Sequence, residues 1–299
     1  MNPVPKYSTT KIGLDPWEWI PIDFSSFIGE LQSISAHCTN LKHLIIFRGH
    51  RDRDWLLDST FVRYCKGKIF GIGITSTLRK DYRMSKDLQR LLGNLFLYKF
   101  GERTKPHQEL FDLAEKYSID PWFEWMKKIQ QYPEDDLGTL KGSFLLDWSQ
   151  TISVGVYFTN ENRRNNDEGA VWICDIDAIG AIVHQEMTVG AIIELFREAI
   201  LIDYSTGLPL IFHPKKQLAC ERARNQDAIY VAQMDLRWDL AETFINFERT
   251  QQLTERTFLK LVLPKGSKEE CDQWLEHEGI TKSYIYPDLI KGSTFDSCL

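Results

Sequence analysis

Strand-length apolar runs and segments with helical spacing follow one another along this chain without a regular β-α-β alternation. A doubly wound parallel sheet requires that alternation, so the pattern predicts an α+β fold on a central mixed or antiparallel sheet. Trp19, Ile20, Phe24, Phe27, Ile28 and Leu31 recur at mostly helical spacing and predict a helix over 17–38. Leu44, Ile45, Ile46 and Phe47 read as a buried strand running into Arg48, Gly49 and a charged loop, a natural place for a site. Ser85 can cap a helix whose inner face is Leu88, Leu91, Leu92, Leu95 and Phe96. Pro106 opens a second helix, with Leu110, Leu113, Ala114 and Tyr117 inward, and Asp120 with Pro121 opens a third, carrying Trp122, Trp125, Met126 and Ile129. The stretch 85–131 is thus a predicted helical insertion.

Beyond it, Val171, Trp172 and Ile173 mark a strand, 188–200 an amphipathic helix, and 228–234 and 258–263 two further strands. Residues 160–168 are a predicted surface loop. Ser267 and Glu270 form a capping box, and Gly279 stops the last helix. With no internal repeat or low-complexity linker, the expected organisation is an extension over 1–16 and a single domain over 17–299.

A chain of 299 residues with 43% hydrophobic and 26% charged residues buries a core, which excludes disordered and coiled-coil classes. The net charge of -6 excludes nonspecific nucleic-acid binding by the chain as a whole. The charge is uneven, however. Between Arg48 and Arg90 eleven basic residues face five acidic ones, a local +6 that leaves -12 for the remainder. Such a segment either draws an anion, such as a pyrophosphate or a nucleic-acid backbone, or is a solvated surface paired with acidic neighbours. The six cysteines form no CxxC pair, the first fourteen residues carry no apolar leader, and no apolar run approaches a membrane span. These features predict a cytoplasmic protein with reduced thiols and no membrane contact. The seven histidines show no metal-ligand spacing, so no metal is expected.

The phosphate-binding, metalloprotease and nucleophile-elbow motifs are absent. Present instead, in order, are Phe47-Arg48-Gly49 with Trp55, Ser59 and Arg63 downstream; Leu145-Leu146-Asp147-Trp148-Ser149 leading to Val156-Tyr157-Phe158; Glu221-Arg222 with Gln226-Asp227; and Tyr286-Pro287-Asp288-Leu289. This set resembles the FRG domain family, named for its Phe-Arg-Gly motif and found mainly in bacterial and phage-related proteins, from about residue 17 to 292. Two departures stand out. The family's Gln-His-x-Gly and Pro-Thr-Arg are replaced by Leu137-Gly138-Thr139-Leu140-Lys141-Gly142-Ser143-Phe144, and its Gln-Gln-Gly by Asn225-Gln226-Asp227.

The order of motifs is also similar to that of ADP-ribosyltransferases, and this likeness implies a use for each residue. Arg48 would grip the diphosphate or ribose of NAD, with Gly49, Ser59, Arg63, Asp147 and Ser149 as further cofactor contacts. Tyr157 would stack the nicotinamide, and Glu221 or Gln226 would hold the ribose as oxocarbenium-like charge develops. The implied activity is NAD-consuming mono-ADP-ribosyl transfer to a nucleic acid or protein by a toxin or effector in anti-phage defence, with an antitoxin or phage-derived partner. A noncatalytic module binding nucleic acid or a phage protein through 48–90 is the alternative. Two roles stay open for Arg48, ligand binding and a buried pair with Asp147. Trp55, Trp148, Tyr157 and Phe158 read as core before cofactor platform, since aromatics serve packing first.

Overall fold

The computed structural model describes residues 5–6, 10–13, 15, 17–66, 86–87, 90–94, 108–131, 142–201, 208–216, 221–233, 235, 238–253 and 256–287. Its centre is a mixed nine-stranded sheet with helices against it, an α+β architecture. In chain order the strands are β1 (Lys11–Ile12), β2 (Glu18–Ile20), β3 (Ile45–His50), β4 (Leu145–Ser149), β5 (Gly169–Asp175), β6 (Val183–His184), β7 (Ile211–Phe212), β8 (Ala228–Ala232) and β9 (Phe258–Leu263). They lie side by side as β1-β2-β9-β5-β3-β4-β8-β7-β6. The β2/β9 and β6/β7 pairs are parallel and the other pairs antiparallel. Lys11 and Ile12, within the expected extension, thus form an edge strand of the sheet.

The helices are α1 (Phe24–Leu41), α2 (Thr60–Tyr64), α3 (Gln108–Tyr117), α4 (Pro121–Gln131), α5 (Ile152–Asn160), α6 (Val189–Leu201), α7 (Glu221–Asn225), α8 (Leu240–Thr250), α9 (Lys268–His277) and α10 (Lys282–Ile285). The first begins later than the periodicity predicts. Trp19 and Ile20 belong to β2, and the helix starts after Asp23, whose carboxylate accepts from the Ser26 N–H at 2.7 Å. Phe24, Phe27, Ile28, Leu31, Ile34 and Cys38 are its buried stripe. In the expected insertion, α3 and α4 lie where they were predicted, with Ala114, Trp125 and Met126 buried. Tyr117, expected inward, is 48% exposed. Ser85, Leu88, Leu95, Phe96 and Pro106 lie outside the described residues. Ser267 precedes α9 without the expected capping bond, because its hydroxyl donates to the Pro264 carbonyl and accepts from Arg163. Gly279, at φ +73, follows the end of that helix as predicted. The predicted 160–168 loop joins α5 to β5, but Asn160 and Arg163 within it are buried and tie it to the start of α9.

Strand alternation sorts the core into two faces. On one face Ile45, Phe47, Val171, Ile173, Leu259 and Leu261 meet α1, α5 and α9. On the same face, Leu145, Tyr230 and Phe212 meet α2 and α4. On the opposite face Ile46, Leu146, Trp148, Trp172, Val231 and Phe258 meet Leu240, Ala241 and Phe244 of α8.

Near the β2 edge, Glu18 accepts from Arg53 at 2.6 Å and pairs with Lys260 at 2.9 Å, and Arg53 also reaches Glu168 at 2.9 Å. Burial alone pushes the Glu18 carboxyl up, but hydrogen bonds and charges from Arg53 and Lys260 outweigh it and hold the group below its ordinary 4.5. A lowered folded-state value contributes stability that is present above about pH 4.5 and lost as pH falls through the folded value. Glu18→Gln is therefore expected to lower stability by about 2 kcal/mol at pH 7, below the full cost of breaking a buried pair because the site is partly wet. The gap closes as pH falls below the ordinary carboxylate range, which urea titrations across pH measure; a gap independent of pH contradicts the assignment.

Candidate functional site

Strand β3 pairs with β5 along its whole length, and β4 does the same with β8, yet β3 and β4 share a single pair, Phe47 with Ser149. Past that pair the two strands part. The chain leaving β3 fills part of the opening: Leu57 packs on the α8 face, whereas Phe61 and Val62 of α2 pack on the other. Asp58, Ser59 and Thr60 therefore cross from one side of the sheet to the other beside the start of β4. The crossing is stapled there by the Phe61 N–H on the Ser143 carbonyl at 3.1 Å and the Leu240 N–H on the Leu57 carbonyl at 3.0 Å.

Arg48 stands at this notch. Alternation turns its side chain to the face of Ile46 and His50, and Nη1 donates to the main-chain carbonyl of Asp147. No carboxylate among the described residues lies within ion-pair reach of it, and its buried Nε–H has no acceptor. Burial pulls the guanidinium down to about 10, the Asp147 carboxylate opposes that shift, and Arg63 adds to it. At neutral pH Arg48 is thus a charged, sunken donor, held by one carbonyl. Arg63, half-buried, donates to Thr60 Oγ1 at 3.2 Å. Asp147 itself has a buried Oδ1 with no partner. The expected ion pair between Arg48 and Asp147 is thus a contact to the Asp147 main chain, with the carboxylate acting at a distance.

The other expected site residues are used differently. Gly49 is covered by α5: a Cβ there would lie 2.1 Å from the Gly155 carbonyl oxygen and 2.4 Å from the Thr159 nitrogen, so the glycine is required there for close packing of the helix. Ser59 caps α2 and is buried, and Ser149 exchanges bonds with the Thr151 backbone at the turn into α5. The Tyr157 hydroxyl donates to Glu161 at 3.3 Å, and its ring meets Phe158 and Tyr286 edge-on. Tyr286 donates to the other Glu161 oxygen at 2.9 Å and lies under the Arg222 guanidinium. Burial, then the Glu161 charge, pushes both phenols above their usual range. Gln226 is buried and donates to the Ile285 carbonyl at 3.2 Å. Tyr157 and Gln226 thus belong to the α5 side of the sheet, and Arg48 projects from the opposite face. Glu221 opens α7, and its expected contact lies outside what is described, as do Asp288 and Leu289.

Much of the basic segment is also spent internally. Arg53 is held by two carboxylates, and Lys66, 2% exposed, pairs with the fully buried Asp58 at 2.7 Å. Arg51 is exposed and stacks over Trp55, while Lys68, Arg79, Lys80 and Arg83 lie outside the described residues. Arg53 and Lys66 are therefore corrected from surface charge to internal pairing.

Three further residues stand at the notch: Gln233 and His50, which carry no motif signal, and Trp148 of the Leu-Leu-Asp-Trp segment. Gln233 accepts from the Ser59 N–H at 2.5 Å and donates to Asp58 at 2.7 Å, joining the crossing segment to the end of β8. His50, two residues from Arg48 and so on its face, accepts the Trp172 indole N–H at 3.3 Å on Nδ1. Trp148 lies across from Arg48 by the Phe47 to Ser149 register. Only the period-two alternation after Arg48 could have drawn attention to His50. Elsewhere, a cleft of about 520 Å³ is lined by Ile119, Asp120, Trp122, Met187 and Lys215, and none of the expected site residues lines it. No helix among the described residues is long and apolar enough to cross a membrane. Compared with protein-family models, curated proteins and solved structures, the chain matches none of them.

Proposed function

We propose that this is an FRG-type protein that binds a phosphate-bearing nucleotide at the Arg48 notch, with NAD as the ligand. One observation carries the reading: a charged guanidinium is sunk into the sheet with a single carbonyl partner and an Nε–H left open. A half-buried guanidinium whose nearest carboxylate acts only from a distance is matched by a diphosphate fork. Arg63 adds positive potential at the same place.

ADP-ribosyl transfer, in a fold of ADP-ribosyltransferase type, is the reaction this binding would serve, in the effector role that the motif order implies. In that reaction the bond from ribose to nicotinamide breaks, and the ribosyl carbon passes to a nucleic-acid or protein acceptor. The geometry changes which residues would assist. Tyr157 and Gln226 are engaged on the other side of the sheet, so they are not the groups that meet a nucleotide held by Arg48. The carboxylate in electrostatic reach of Arg48 is Asp147, which alternates with Leu145 onto the α5 side, so its part is to favour the charged guanidinium from a distance.

Titration of the protein with NAD and with ADP-ribose, followed calorimetrically, tests the reading. Arg48→Ala is expected to weaken binding about a hundredfold, from the loss of a charge-assisted and partly bidentate contact. Tyr157→Phe is expected to leave it unchanged. Wild-type protein that binds neither compound, or Arg48→Ala that binds both as well as wild type, overturns the proposal. Incubation with labelled NAD then asks whether the bound nucleotide is consumed.

A further inference from the structure

Arg48 is not alone in having an open donor. The indole Nε1–H of Trp148, a residue 2% exposed, has no acceptor among the described residues, and neither has Nε2 of His50, which is 4% exposed. The tautomer of His50 follows from its neighbour. An indole N–H only donates, so the Trp172 bond makes Nδ1 the acceptor, and the neutral ring carries its hydrogen on Nε2. Burial, with the charges of Arg48, Arg63 and Lys260, keeps that ring neutral; the Trp55 main chain favours the protonated form, from outside hydrogen-bonding geometry. The three residues share one face. Arg48 and His50 alternate on β3, and Trp148 stands opposite Arg48 where the strands begin to part.

Buried polar groups in folded proteins nearly always find partners, so three orphan N–H donors at neighbouring positions form an unusual concentration. These three are donors and so match neither a cation nor a donor-rich ligand; the orphan Oδ1 of Asp147 belongs to the other face. What fits them is an oxyanion, with oxygens enough for several N–H groups at once. We propose that Trp148 and His50 complete, with Arg48, a three-donor pocket for one phosphate of the ligand. This rests on the nucleotide-binding reading above and extends it, because neither residue belongs to the set that the motif order implies for binding.

The pocket makes a double prediction. A donor kept open for a ligand costs stability in its absence, so its removal offsets part of the cost of a core substitution in the free protein while weakening the complex. Trp148→Phe retains an aromatic ring and deletes the donor. The relief of the orphan donor opposes the cavity left by the smaller ring, so the melting temperature of the ligand-free protein is expected to stay within about 2 °C of wild type. The substitution should weaken calorimetric binding of ADP-ribose and of inorganic pyrophosphate about fivefold. His50→Phe removes a donor but also the acceptor that Trp172 uses, so it should weaken binding with a fall in melting temperature. Trp148→Phe keeps the test decisive where His50→Phe does not fold.

If wild type binds and Arg48→Ala does not, while Trp148→Phe binds like wild type, the three-donor pocket is overturned and the nucleotide reading stands. If wild type binds neither probe, both fall.

Discussion

Replacing Gly49 by alanine is expected to leave little or no folded protein. The added methyl would sit 2.1 Å from the Gly155 carbonyl oxygen and 2.4 Å from the Thr159 nitrogen, both backbone atoms of α5. No rotamer change relieves a clash with backbone, so either β3 or α5 must move. Movement of α5 opens contacts on both sides. A Cβ on Gly155 would in turn stand 2.9 Å from the Cβ of Phe47, and the Thr159 hydroxyl bonds the Gly155 and Ala170 carbonyls at 2.9 and 3.1 Å. A loss of about 4 kcal/mol or more puts this substitution in the exceptional class and consumes much of the stability of an ordinary domain. Urea denaturation, or the soluble yield where the protein does not accumulate, measures it. Near wild-type stability would show that α5 does not cross β3 backbone to backbone. The glycine of Phe-Arg-Gly would then be free for a ligand after all.

Lys66→Met is expected to cost about 3 to 5 kcal/mol, for a different reason. Lys66 and Asp58 are charges buried together, and Gln233 ties Asp58 and the Ser59 N–H to the end of β8. Methionine matches the volume of the lysine stem but leaves a buried carboxylate without its ammonium. Burial already pushes Asp58 above its ordinary 3.8, with Asp239 adding to the rise, while the Lys66 charge and the bonds from Lys66 and Gln233 oppose it. The sign of the pH dependence follows from that direction. A raised folded-state value contributes stability that is full below the unfolded value and lost as pH rises through the folded one. Without Lys66 the rise is larger, so the deficit of the variant is greatest at and above neutral pH and shrinks on acidification as Asp58 takes up a proton. Thermal melts of both proteins from pH 7.5 downwards check this; equal stability throughout contradicts a structural pairing.

The limits of sequence reasoning here have physical causes. Periodicity located α3, α4 and α6 and the strands β3, β5, β8 and β9, because each buries one face or one stripe, whereas α9 was found from its end signals, Ser267 with Glu270 and Gly279. It merged β2 with α1, since Trp19 and Ile20 are apolar in either conformation and the decisive element is a local cap, the Asp23 carboxylate. The Phe-Arg-Gly and Leu-Leu-Asp-Trp motifs do come together, as neighbouring strands that share one pair. What they do there was not legible. The motif suggested ligand contact for Gly49, whereas the glycine admits a helix; it suggested ion pairing for Arg48 and Asp147, whereas the guanidinium meets a carbonyl. Charge counting read Lys66 and Arg53 as part of a basic surface because burial and partners from β2, β5 and the crossing segment are set by long-range pairing. Tyr157 and Gln226 follow the expected order along the chain, but strand alternation and the docking of α10 send them to the other face, a separation that linear order does not encode.

The central claim is that the open donors of Arg48 await an anionic ligand, and the Nε–H resonance of Arg48 reports on it most directly. In nitrogen-15 spectra of side-chain Nε–H groups, this signal is identified by its absence in Arg48→Lys. Titration with ADP-ribose is expected to shift it saturably downfield as the hydrogen gains an acceptor, in step with calorimetric binding. A resonance that stays in place at saturating ADP-ribose would contradict the account.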